Sequence, residues 1–268
     1  MADPDTNLHR FNQDDSRRLR YGFPDAEPGD TMTPRIVALT AFAISVATCL
    51  SLAPATAETV EVAPGVSVTK RSFEGPVGEA PLFGFVEKSP MLRQADDIFV
   101  SIAIQVYGSR GKAFEALVKR GWAGLDADDF TEAKTRFNQA WLFLPEQSQI
   151  FHGFGIIAYT HFYDRVFADE LFRIALKQPG ALANLNADYG HMLLAANRSS
   201  EAEPVLEQAI KDTPEAGDAW TDLGLARLRN HNPAGACLAA DQADKLAHAV
   251  HAHTSIRWIW CEAKCSGH

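Results

Sequence analysis

Residues 202–224 read AEPVLEQAIKDTPEAGDAWTDLG, and two patterns meet in this stretch. A small–large–small–proline series, Ala202, Leu206, Ala209 and Pro214, gives way to a new helical run holding Trp220, Leu223 and Gly224. Both patterns recur outward from here. The first reappears as Ala133, Phe137, Ala140, Pro145, as Ala168, Phe172, Ala175, Pro179, and in a fourth copy as Ala236, Ala240, Ala243. Glycines mark the second: Gly121, Gly155, Gly190 and Gly224 follow one another at spacings of 34, 35 and 34. A glycine inside a helix costs about 1 kcal/mol, so a glycine at a fixed period argues for a close helix contact. Small residues let one helix approach the next, the large residue fills the gap, and each proline stops the second helix of its unit.

The chain has 268 residues, 46% of them hydrophobic and 22% charged, with a formal net charge of −9. That length buries enough surface to need no disulfide scaffold, and the apolar fraction argues against wholesale disorder. The acidic balance argues against nucleic acid, whose phosphates call for a Lys/Arg excess.

The period of 34 and the small–large–small–proline order resemble the tetratricopeptide repeat over residues 114–247, with Trp220, Leu223 and Gly224 matching the family's first-helix element. Arg120 departs from the pattern before Gly121, and repeat two holds one extra residue between Gly155 and Ala168. The stretches Gly121-Trp122, Arg136–Leu142 and Gly153-Phe154-Gly155 look like exported bacterial members of the class. The resemblance implies an all-α, right-handed α-solenoid of about four helix-turn-helix repeats, at about 114–147, 148–182, 183–216 and 217–249. A helix from Pro90 to Tyr107 would cover repeat one and a closing helix at 250–265 would cover repeat four, within a helical domain of residues 90–268. Local signals agree: Asp128, Asp129 and Asp164 can cap second helices, Asn232 stands before Pro233, and Ser200 to Glu203 has the capping-box form.

Ahead of the repeats, residues 36–54 are uncharged, follow Arg35, and end at Pro54 with Ala55-Thr56-Ala57 behind. These are the regions of a secretory signal cleaved after Ala57, with Met32 a plausible start. The alternative is an uncleaved anchor that puts the rest outside the cytoplasm, the only contact with a membrane. Residues 1–57 are thus read as extension and signal, and the remainder as exported, periplasmic or secreted. Residues 58–89, rich in Pro and Gly, read as a flexible linker with at most one strand-like stretch and no fold of its own.

Chemistry is scarce. Gly108-Ser109-Arg110-Gly111-Lys112 lacks the phosphate-loop spacing and reads as a turn, and no recognisable nucleophile, acid/base or metalloprotease motif occurs. The chain is therefore read as non-catalytic and without cofactor. His248, His251, His253, Cys261, Cys265 and His268 raise a metal- or redox-handling alternative, although only Cys261, Cys265 and His268 could converge on one ion. A disulfide fits the exported setting better. Counting outward from a turn near residue 249 sets Cys237 opposite Cys261 and leaves Cys265 odd.

In the family the first helices line a concave groove that takes peptides from partner proteins. Carried over, the groove positions are Lys119, Trp122 and Leu125, then His152, Ile156 and Tyr159, then Asn184, Asp188 and His191, and finally Thr221, Asp222 and Leu225. Asp188 and Asp222 stand where a reader of C-terminal carboxylates would need Lys, Arg or Asn. The groove is expected to suit hydrophobic anchors with some positive charge. The functional expectation is a protein-interaction scaffold of the cell envelope, with a membrane-anchored assembly factor as the other alternative.

Overall fold

The computed structural model describes residues 58–246 and 250–267. The apolar run 36–54, Met32 and the cleavage site after Ala57 lie outside them, as does the turn near residue 249. Among the described residues no helix is long and apolar enough to cross a membrane.

Among the described residues, ten α-helices follow a short hairpin. The first, α1, spans Pro90–Tyr107; four pairs come next, α2 (Arg110–Asp126) with α3 (Phe130–Trp141), α4 (Ser148–Thr160) with α5 (Arg165–Ala175), α6 (Leu185–Ala195) with α7 (Ser199–Asp212), and α8 (Gly217–Arg229) with α9 (Pro233–Leu246). The last, α10, spans Val250–Ala263. Each pair packs on itself, each second helix passes to the next first helix, and α2, α4, α6 and α8 touch in turn. This is an all-α solenoid with its first helices forming one continuous layer.

The helix starts follow local chemistry. Ser89 accepts from the Leu92 amide ahead of Pro90, and Ser109 accepts from the Lys112 amide after Gly108 closes α1 at φ 87°. Asp129, Asp164 and Asn232 each accept an amide three residues on, all at 2.9 Å. The capping box expected at Ser200 does not form. The helix α7 begins at Ser199 and Arg198 occupies the cap position, because its guanidinium is held by Glu201 and Asp169. Between the helices of every pair one residue takes a left-handed φ: Asp128 at 56°, Tyr163 at 54°, Asn197 at 59° and His231 at 60°. Asp and Asn adopt this conformation at little cost, whereas an exposed Tyr does not.

The periodic glycines act through contact. A Cβ on Gly121 would lie 2.9 Å from the Phe137 ring, one on Gly155 3.2 Å from Phe172, and one on Gly190 2.5 Å from Leu206. In each of the first three repeats the glycine of the first helix thus receives the large residue of the second. Repeat four has only Ala240 at that place, and a Cβ on Gly224 would meet Ile259 of α10 at 3.2 Å instead. The closing helix supplies the side chain that repeat four lacks.

Residues 58–89 do not behave as the linker that their Pro and Gly content suggests. They carry an antiparallel hairpin, β1 (Thr59–Ala63) with β2 (Val66–Thr69), and two 3₁₀ turns at Val77–Glu79 and Pro81–Phe85. The hairpin and turns lie along the second helices α3 and α5 as a strap. Asn138, 1% exposed, holds it with three bonds: its Nδ2 donates to the carbonyls of Gly78 (2.9 Å) and Ala80 (2.7 Å), and its Oδ1 accepts from the Phe83 amide (3.2 Å). Trp141 Nε1 donates to the Val62 carbonyl, Glu170 accepts from the amide and hydroxyl of Thr69, and Arg71 pairs with Asp164 at 2.8 Å. Val68 of β2 is fully buried. Leu82, Phe83, Gly84 and Phe85 run left-handed in succession, a conformation that costs about 1–2 kcal/mol for each non-glycine residue and persists because these contacts over-determine it.

The disulfide differs from the one counted in the sequence. Cys237 bonds Cys265, with Cα atoms 5.7 Å apart, and Cys261 is free and exposed. The count assumed a helix continuing to residue 265. The helix α10 ends at Ala263, Lys264 turns left-handed at φ 55°, and the Cys265 amide folds back onto the Trp260 carbonyl, which carries Cys265 toward α9.

Candidate functional site

The layer of first helices carries the twelve expected groove residues, and the structure sorts them by their surroundings. Trp122, Leu125 and His152 are buried, at 8%, 4% and 0% exposure. The Trp122 ring stands edge-on to Phe137 at 5.6 Å and to His152 at 4.8 Å. All three are thus taken up in packing between helices. The glycines Gly121 and Gly153, both against Phe137, draw α2, α3 and α4 so close that the residues beside them are enclosed.

A second group joins consecutive first helices. Asp188 of α6 accepts from His152 Nε2 of α4 at 2.9 Å and from Asn184 Nδ2 at 2.9 Å. One repeat further, His191 of α6 meets Asp222 of α8 at 3.0 Å. The two carboxylates of the expected groove are thus engaged in ties between repeats. Asp222 is itself buried, at 8% exposure, and the hydrogen bond to His191 compensates its burial.

The third group remains accessible. Ile156, Tyr159, Thr221 and Leu225 are half-buried and Lys119 is exposed. Thr221 donates its hydroxyl back to the Gly217 carbonyl at 3.0 Å. Burial raises the Tyr159 hydroxyl pKa, Arg165 lowers it and Asp222 raises it again. The apolar groove positions that stay open are thus Ile156 and Tyr159 on α4 and Leu225 on α8.

Sequence reasoning missed the polar cluster at the edge of repeats two and three. Asp169 accepts from the Tyr189 hydroxyl at 2.8 Å and pairs with Arg173 and Arg198, each at 3.0 Å. Burial, with the bond to Asp169, pushes the Tyr189 pKa up to about 12. Its signal, Asp and Arg spaced across two repeats, is invisible until the solenoid stacks them. It has the form of a structural junction.

For metal chemistry, the bond from Cys237 takes Cys265 out of the ligand set, and His253 Nδ1 is engaged with Asp244 at 3.1 Å. His248, His251 and His268 fall outside the described side chains. Among the described residues no three His, Cys, Asp or Glu side chains gather as a metal site.

No protein-family model matches the chain, and a comparison with curated proteins finds no match. Solved structures do resemble it. That described as the functional characterization of Pseudomonas aeruginosa PilF aligns with a TM-score of 0.52 and 23% identity, over 58% of this chain and 71% of that one. PilW, described as a widely conserved type IV pilus biogenesis factor, aligns at 0.49 and 14% identity, over 65% of this chain and 88% of its own. Yeast Tom70 aligns at 0.47 and 15% identity, over 68% of this chain and 45% of its own. With the glycine–large-residue contacts, the left-handed turn of every pair and the PilF likeness, the chain is a tetratricopeptide-like repeat protein in its fold.

Proposed function

We propose that this protein is a non-catalytic interaction scaffold of the cell envelope, which receives a partner's peptide or helix along its inner layer. The observation that carries the reading is that Ile156, Tyr159 and Leu225 of the first-helix layer stay half-exposed, an apolar strip open to a ligand. Such a strip suits hydrophobic anchors at helical or extended spacing. The neighbouring carboxylates give the rim a negative potential even while tied, which favours a ligand with some positive charge. Export is supported by the signal-like residues 36–57 and by the Cys237–Cys265 disulfide, a bond that persists in oxidising compartments.

The test is recovery of partners from envelope extract with wild-type protein and with Tyr159→Ala plus Leu225→Ser. Both side chains are partly open, so the variant keeps its helical circular dichroism and loses a partner. Equal recovery of every partner by the two proteins refutes the groove assignment.

A further inference from the structure

At the opposite end from the disulfide, α1 is apolar on two sides. Phe99, Val100, Ala103, Ile104 and Tyr107 face the solenoid, and Ala103 is the one residue of the helix that is buried. The other side carries Met91, Ala95, Ile98 and Ile102, at intervals of four, three and four residues, followed by Val106. All are exposed: Met91 by 75%, Ile98 by 53%, Ile102 by 54% and Val106 by 72%. Alternating steps of three and four are the seam of a coiled coil, and a solenoid end normally turns a polar face outward.

We propose that this seam is covered by the same helix of a second copy of the chain, the two α1 helices running antiparallel about a two-fold axis. In that register Met91 meets Ile102 of the second copy and Ala95 meets its Ile98, so large residues close both ends and small meets large between them. The residues flanking the seam, Leu92, Gln94, Ser101 and Gln105, are uncharged. Arg93 donates to the Lys88 carbonyl and Asp96 pairs with Lys88, both off the seam, and Asp97 lies on the outer side. On a chain of net charge −9, this strip is a place where two copies meet without like charges opposed. The exposed strip amounts to roughly 500 Å² per copy, at the upper end of what a monomer shows, and pairing two gives about 1,000 Å², enough for a specific weak dimer.

Light scattering on the cell-derived protein carrying Cys261→Ser, so that no intermolecular disulfide contributes, tests this. The mass should rise from one chain to two between about 1 and 100 µM, the range in which interfaces of this size associate. Adding Ile98→Asp and Ile102→Asp, both solvent-facing changes, should keep helicity and hold the protein at one chain throughout. A single-chain mass at 100 µM without those changes, or dimerisation of the aspartate variant at the same concentration, overturns the proposal. Ala95→Cys with Ile98→Cys should link two chains on mild oxidation; a dimer that forms without that link overturns the antiparallel register.

Discussion

The two ends of the solenoid are each closed by one helix with apolar residues at helical spacing, and they are finished differently. At the C-terminal end α10 is docked: Ile256 and Ile259 are 0% and 1% exposed, Trp260 donates to Asp241 at 2.9 Å, and the chain beyond is bonded to Cys237. At the N-terminal end α1 buries only Ala103 and leaves a seam outside. The difference lies in the repeat each helix meets. Repeat four is incomplete, with Ala240 where the others have Phe137, Phe172 or Leu206, so α10 inserts Ile259 over Gly224. Repeat one is complete, since Phe137 already fills the space at Gly121, and α1 has nothing to insert. The clasp on the N-terminal half is instead the strap of residues 59–85 over α3 and α5.

If α10 completes repeat four while α1 merely leans on repeat one, the same kind of truncation should behave oppositely at the two ends. Ile259→Ala should cost about 3–4 kcal/mol in denaturant unfolding, the range for large-to-small changes at fully buried positions, whereas Ile102→Ala should stay within about 0.5 kcal/mol for the isolated chain. Equal losses would erase the contrast. The covalent tie is next in size. Cys265→Ser opens a loop closed across 28 residues and should lower stability by about 3 kcal/mol, while Cys261→Ser should leave it unchanged. Peptide mapping of the non-reduced protein checks the pairing directly, and a linked Cys237–Cys261 peptide would restore the symmetric hairpin count. Smallest is the strap. Asn138→Ala leaves the Gly78 and Ala80 carbonyls without their donor and should cost about 2 kcal/mol, with faster proteolysis ahead of Ser89. Unchanged cleavage there would show that the hairpin is held by its apolar contacts alone.

Much of the repeat was legible because its demands are local. Gly121, Gly155 and Gly190 sit opposite Phe137, Phe172 and Leu206 as the small–large–small order implies, since close helices admit few residue types at the crossing. Asp129, Asp164 and Asn232 cap as read, because a cap bond spans only three residues. The strap was illegible for the converse reason. Irregular backbone has no period, and it is held by Asn138 and Trp141, ordinary helix residues whose types announce nothing. The groove was read by position rather than burial, so Trp122, Leu125 and His152 were assigned to a surface that encloses them.

The residues by themselves determined the repeat, its helix starts and the large side chains that fill its glycine gaps, all consequences of 3.6-residue periodicity and short-range sterics. Only the tertiary structure decided which helix completes repeat four, which cysteine reaches Cys237, where residues 59–85 lie, and which groove positions remain open. Those depend on how far one helix runs before it unwinds and on how closely two stacked repeats approach. Both are set by packing between residues distant in the chain, which no local pattern records.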